Sequence, residues 1–232
     1  MSDRCAVAYR GIRERVIGLV TPLGPAADDA PVPATPRWSV HDLVAHLVGV
    51  ARDAVDGRLD GLSTEAWTDA QVQRRRGLPR EALLAEWAEY GPRFERRLAR
   101  LPEAAAGQAV LDAFSHEQDL RHAIGVPGAR TSDAVSVAFD WLCGARASVG
   151  APTLRFVTEV GERISGPGAP VATVTASRFE LLRASTGRRT REEVAAYAGA
   201  SLRPELLLAA PFFTLRATSL REQHDAGAPR PD

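Results

Sequence analysis

The sequence predicts an α+β protein of two domains. An antiparallel bundle of helices is expected over residues 1–150, and a small α+β domain over residues 151–232. Three observations carry this. Apolar residues recur at helical spacing in five segments before residue 150. The connections between the later segments are short, as in bundles. After Gly150 the pattern changes to β-branched alternation broken by Gly/Pro turns.

The elements follow in order. Residues 4–20 place Ala8, Ile12, Val16, Ile17 and Val20 on one helical face. The Pro/Ala/Asp-rich stretch Pro22–Pro36 reads as a loop. A second helix opens at Ser39, which has capping-box spacing to Asp42, and Val40, Leu43, Val44, Leu47 and Val48 form its stripe. Trp38 stands just before that cap, where it could staple the start of the helix. Residues 80–100 carry Leu83, Leu84, Trp87, Tyr90 and Phe94 on one side. Residues 108–124 and 132–148 give two further helices, separated by Gly125 and Pro127. In the second half, Thr153–Gly161 and Pro170–Ser177 read as strands on either side of the turn "SGPGAP". Ser177 with Glu180, and Thr190 with Glu193, repeat the capping-box signal and start two more helices. The end, "HDAGAPRPD", reads as frayed.

Composition removes several functional classes. The chain has 232 residues, 29 basic and 29 acidic, and no net charge. That balance argues against a polybasic nucleic-acid binder and against an acidic disordered chain. The longest apolar run, Leu206–Phe213, contains a Pro and is far shorter than the ~20 residues a membrane helix needs. The first twenty residues carry four Arg and no continuous apolar core, so they are not a signal peptide, and the expected location is the cytoplasm. Cys5 and Cys143 are too few for a disulfide framework and read as small buried apolar residues. All 29 basic residues are Arg, and Asn is absent, a bias that points to a GC-rich genome such as an actinomycete's.

The segment Leu111–His122 carries the chemistry. At about 100° per residue, Asp112, His116 and Asp119 fall within about 60° of one another, beside an apolar stripe. An i, i+4 Asp–His pair puts two donors on one face, close enough to ligate one metal. A His from a neighbouring helix would make three protein ligands and leave one position open, as in catalytic zinc sites. The same spacing also describes a plain Asp–His ion pair. His46 stands at the edge of the second helix's apolar stripe, where a hydrogen-bonded core histidine is the simpler reading. His41, His122 and His224 lie off these faces and read as structural or solvated. No phosphate-binding Gly-rich loop, G-x-S-x-G or H-E-x-x-H motif occurs.

The segments "PRWSVHDLVAHLVGV" (Pro36–Val50) and "LDAFSHEQDLRHAIGVPGAR" (Leu111–Arg130) resemble the two metal motifs of the mycothiol-dependent maleylpyruvate isomerase family. "VTASRFELLRASTGRR" (Val174–Arg189) and "FFTLRATSLRE" (Phe212–Glu222) resemble that family's second domain. The resemblance implies a DinB-like four-helix bundle followed by a domain resembling sterol-carrier proteins. It implies a divalent metal, usually zinc, held by His46, Asp112 and His116, with Asp112 standing where the family has a Glu one methylene longer. Asp119 matches the Asp of the family's "HxxDL" element and would orient a ligand or a water. An Arg of the second domain would bind the thiol cofactor or a substrate carboxylate. Arg216 is the first choice, and Arg188 and Arg189 are the others.

The implied chemistry uses mycothiol, a low-molecular-weight thiol. A thiol at the open metal position loses its proton, and the resulting thiolate attacks a small electrophilic substrate. Attack followed by rotation and elimination is isomerisation, whereas attack without return is S-transfer; the motif does not separate the two. A different class stays open: a DinB-like module that binds metal or ligand in stress or sequestration without turnover. The implied partners are the thiol and the small electrophile, with no nucleic acid and no membrane. The oligomeric state is left open.

Overall fold

A computed structural model describes residues 2–198, 202–210 and 213–222. Among these residues the chain is α+β, with eight α-helices and one three-stranded sheet. The helices are α1 (Ser2–Val20), α2 (Val40–Asp56), α3 (Glu65–Gln73), α4 (Arg80–Leu98), α5 (Glu103–Ala123), α6 (Asp133–Ser148), α7 (Arg178–Ser185) and α8 (Arg191–Ala198). The strands are β1 (Leu154–Thr158), β2 (Gly161–Ile164) and β3 (Ala172–Thr175). His224 and the terminal segment expected to fray lie outside the described residues, as does Phe212. No helix among the described residues is long and apolar enough to cross a membrane.

The chain forms two compact units. Among the described residues, one holds the chain up to Pro102 together with Asp112–Gly128, and the other holds Glu103–Leu111 and Ala129–Glu222. This differs from a single cut at residue 150. α6 groups with the sheet-bearing unit because it packs on α7, and its Phe139 meets Phe156 of β1 edge-on at 5.6 Å. α5 contributes its first turns to one unit and its remainder to the other.

In the first unit α4 packs on both α1 and α2, and α3 packs on α2. Of the α1 face that reads apolar in sequence, Ala8, Ile12, Val16 and Val20 are buried and Ile17 is half-buried, with Tyr9 added to it. Tyr9 meets Phe94 edge-on at 4.9 Å and accepts a hydrogen bond of 3.0 Å from Trp87 Nε1, which satisfies two polar groups inside the core. Burying each such large side chain contributes about 1.5–3 kcal/mol. Two buried carboxylates tie the helices together. Glu95 of α4 accepts from Arg10 and Arg13 of α1, and Glu117 of α5 accepts from Arg15 of α1 and from Arg121.

The Ser39 cap is a full capping box. Ser39 Oγ accepts from Asp42 N, and Asp42 Oδ2 accepts from Ser39 N, both at 3.2 Å. α2 ends on Gly57 with φ +77°, a left-handed position that glycine adopts without strain. α3 has no counterpart among the expected helices; Thr64 caps it by accepting from Trp67 N.

In the second unit the sheet order is β2-β1-β3, with β1/β2 antiparallel and β1/β3 parallel. The run Thr153–Gly161, expected as one strand, turns back after Thr158 and continues as β2. Leu154 and Phe156 of β1 and Ala172 and Val174 of β3 fill one face of the sheet. Ser177 Oγ caps α7 through Glu180 N, but the Glu180 carboxylate turns away to Arg189 and Tyr197. Thr190 and Glu193 make both bonds of a capping box. Cys5 and Cys143 are buried and form no disulfide with each other. Burial pushes the Cys143 thiol up to about 11, so it remains protonated and behaves as a small hydrophobe.

Candidate metal centre

The capping box fixes where α2 begins and therefore which residues face inward. His46 is buried on that inner face, one turn beyond Asp42. On α5 the i, i+4 and i+3 spacings set Asp112, His116 and Asp119 along one side. The two helices bring His46, Asp112 and His116 together. One potential ligand atom from each lies within 4.8 Å of the others. His46 Nε2 is 3.5 Å from Asp112 Oδ2, and His116 Nε2 is 3.7 Å from Asp112 Oδ1.

A charge-assisted N–H···O bond closes to about 2.7–2.9 Å. The observed separations are longer than that, and close to the ~3.4 Å edge of a tetrahedron whose metal–ligand bonds are about 2.0–2.1 Å.

The second nitrogen of each ring faces a different polar neighbour. His46 Nδ1 is 2.9 Å from Gln71 Oε1 on α3. The Gln71 amide nitrogen donates to Asp53 Oδ2 at 3.2 Å, which turns its oxygen toward His46. That oxygen can only accept, so the neutral form of the His46 ring would carry its proton on Nδ1 and present a lone pair at Nε2. Nε2 is buried and has no hydrogen-bond partner. Leaving such an acceptor unsatisfied costs about 1–3 kcal/mol, which coordination of a cation would remove. On His116, Asp119 Oδ2 approaches Nδ1 to 3.2 Å, within reach but not aligned as a hydrogen bond. A carboxylate there favours the Nδ1–H form and again leaves Nε2 for the Asp112 side.

Burial sets the charge state. His116 is desolvated, which lowers its pKa from 6.5; nearby Asp119 and Asp112 oppose this, and His46 adds to it. The net direction is down, so the ring is neutral at neutral pH, the form a metal requires. Trp38 covers both imidazoles, its ring 5.0 Å from that of His46 and 5.4 Å from that of His116. The His46 and His116 rings meet edge-on at 4.9 Å. Asp112 is the exposed member, its side chain 40% accessible, so the centre opens to solvent on that side.

The other residues singled out from sequence have contacts of their own. His41 Nε2 contacts the Leu78 carbonyl at 2.8 Å, and His122 is half-buried. Arg216 belongs to the sheet-bearing unit. Its backbone N–H donates to the Arg189 carbonyl, and its Nε donates to the Thr218 carbonyl at 3.2 Å. Arg188 donates to the Thr186 carbonyl, while Arg189 is bound by the carboxylates of Glu180 and Glu222. Sequence reasoning missed Gln71 and Asp53. No short motif marks them; an amide on a helix without an apolar stripe gives no signal until that helix is docked.

The family model described as the mycothiol maleylpyruvate isomerase N-terminal domain matches residues 9–136, more than half of the chain and all three members of the His/Asp/His group. The chain belongs to this family. No curated protein and no solved structure matches it.

Proposed function

We propose that the chain is a cytoplasmic, divalent-metal-dependent enzyme that uses a low-molecular-weight thiol, mycothiol, to attack a small electrophile, as an isomerase or an S-transferase. The observation that carries this reading is the pair of inward-turned Nε2 atoms flanking Asp112, one of them a buried lone pair with no partner. His46, Asp112 and His116 would hold the metal, with zinc the best match to two imidazoles and one carboxylate. When bound, such a cation lowers the pKa of a thiol at its open position, so that the nucleophile is ready at neutral pH.

The chain's own residues supply the rest. Asp119 fixes the tautomer and orientation of His116. Trp38 walls one side of the centre and limits water there, while the exposed Asp112 side admits the thiol. Arg216 is our choice for binding an anionic group of cofactor or substrate, because guanidinium pairs well with carboxylates. In this reading the first unit is a DinB-like four-helix bundle, and the second corresponds to the sterol-carrier-like domain implied by the sequence.

The test is metal content of purified protein, wild type against His116→Ala, followed by thiol consumption with a panel of electrophiles. About one divalent metal per chain, lost in the variant, with multiple turnovers of thiol, is the expected result. Stoichiometric thiol binding without turnover would favour a sequestration module. A metal-free wild type would overturn the enzyme reading.

A further inference from the structure

α3 is a short, mostly polar helix whose inward-facing residues do little to build an apolar core. Of its nine residues only Gln71 and Val72 are buried. Gln71 is fully buried. Its amide oxygen meets His46 Nδ1 and its amide nitrogen meets Asp53. Asp53, also fully buried, is held in turn by Arg58 and Arg74. The polar chain runs from two arginines at the surface, through a carboxylate and an amide, to one ring of the metal centre.

The backbone of α2 is cut to admit this chain. His46, Gly49 and Asp53 stand at i, i+3 and i+7, on one face. Gly49 has ordinary helical geometry, so its lack of a side chain is not needed for conformation. It is needed for space: a Cβ there would lie 2.6 Å from Gln71 Cβ and 2.8 Å from Gln71 Cγ. Any larger residue would push α3 off α2 and draw the amide away from His46.

We infer that α3 acts as a positioning element, in which Gln71, oriented by Asp53 and seated in the gap at Gly49, locks His46 in its Nδ1–H tautomer and so sets the affinity of the centre for its metal. This rests on reading His46, Asp112 and His116 as metal ligands. Gln71 and Asp53 would touch neither metal nor substrate. Removing such an outer partner typically weakens metal binding by roughly 10–100-fold.

The experiment uses full-length protein, wild type and Gln71→Met, a near-isostere without the amide. Two quantities are read: Co²⁺ and Zn²⁺ affinity by competition with a chelator, and the His46 tautomer in metal-free protein by ¹⁵N imidazole NMR. The expected result is a proton on Nδ1 in the wild type, its redistribution toward Nε2 in Gln71→Met, and an affinity loss of about 10–100-fold. Should Gln71→Met fail to fold, Gly49→Ala, which keeps the amide but displaces it, is read in the same way. Unchanged affinity in the variant, or weakened affinity with an unchanged tautomer, would overturn the inference while leaving the metal centre standing. A wild type that takes up no metal would overturn both, and the tautomer measurement would still report whether Gln71 binds His46.

Discussion

Asp119 Oδ2 stands 3.2 Å from His116 Nδ1, at the ring nitrogen that Asp112 does not approach, so His116 lies between two carboxylates of its own helix. The two carboxylates are unlike. Asp119 is fully buried, whereas the Asp112 side chain is 40% accessible. Their separation by seven residues, with His116 between them, sets an accessible carboxylate on one side of the ring and a buried one on the other.

If His46, Asp112 and His116 hold the metal as proposed, replacing Asp119 should weaken the centre without removing a ligand. Asp119→Ala is expected to lower metal affinity by about 10–100-fold. Asp119→Asn, whose side-chain oxygen can still accept from Nδ1–H, should lose less. Chelator competition on the purified variants checks the order.

Stability of the metal-free protein should depend on pH through His116. Its folded pKa is lowered from 6.5 by burial, so the unfolded chain takes up a proton first as pH falls. This contribution is fully present above about pH 6.5 and is lost as pH drops through the window between the unfolded value and the lower folded one. Urea midpoints between pH 5 and 8 should fall toward the acid end, and the fall should be shallower in His116→Gln. An equal slope in both proteins would assign the effect to other groups.

Glu117, next to His116 in sequence, faces away, its fully buried carboxylate paired with Arg15 and Arg121. Glu117→Ala should destabilise the protein by about 2 kcal/mol. That is below the ~3–5 kcal/mol of a wholly buried pair, because the Arg15 side chain is 30% accessible and water can re-solvate it. Urea denaturation followed by circular dichroism measures this directly, and metal content should be little changed.

In the sheet-bearing unit, Glu222 contacts both Arg183 and Arg189. Burial raises its pKa, but the two guanidinium charges outweigh that and hold the carboxyl below its ordinary value. Glu222→Ala should cost about 3 kcal/mol, since the Arg183 side chain is fully buried and would lose a charged partner. A chemical-denaturation midpoint unmoved by the substitution would refute this.

The sequence makes much of the centre legible because its parts are periodic. The α2 stripe and the Ser39/Asp42 cap place His46, and the i, i+4 spacing places Asp112 beside His116. The metal reading of His46 needed the family resemblance, since one His on an apolar stripe has a simpler explanation. What stayed hidden is held by contacts between elements rather than by pattern within one. α3 has almost no apolar face, so Gln71 could be recognised only once the helix lay on Gly49. Trp38, expected to staple the start of α2, also reaches the imidazoles of two different helices. β2 was missed because Gly161–Ile164 is exposed throughout and shows no alternation.

The indole of Trp38 has a consequence for how the centre can be observed. It lies within about 5.5 Å of both imidazoles, whereas Trp67 of the same unit donates to the Arg58 carbonyl and Trp87 to Tyr9 inside the core. Protonated imidazole and open-shell metal ions both quench indole emission at van der Waals range. The protein therefore carries its own optical probe: Co²⁺ should dim the Trp38 contribution, Zn²⁺ should spare it, and Trp38→Phe should reduce the difference between the two ions.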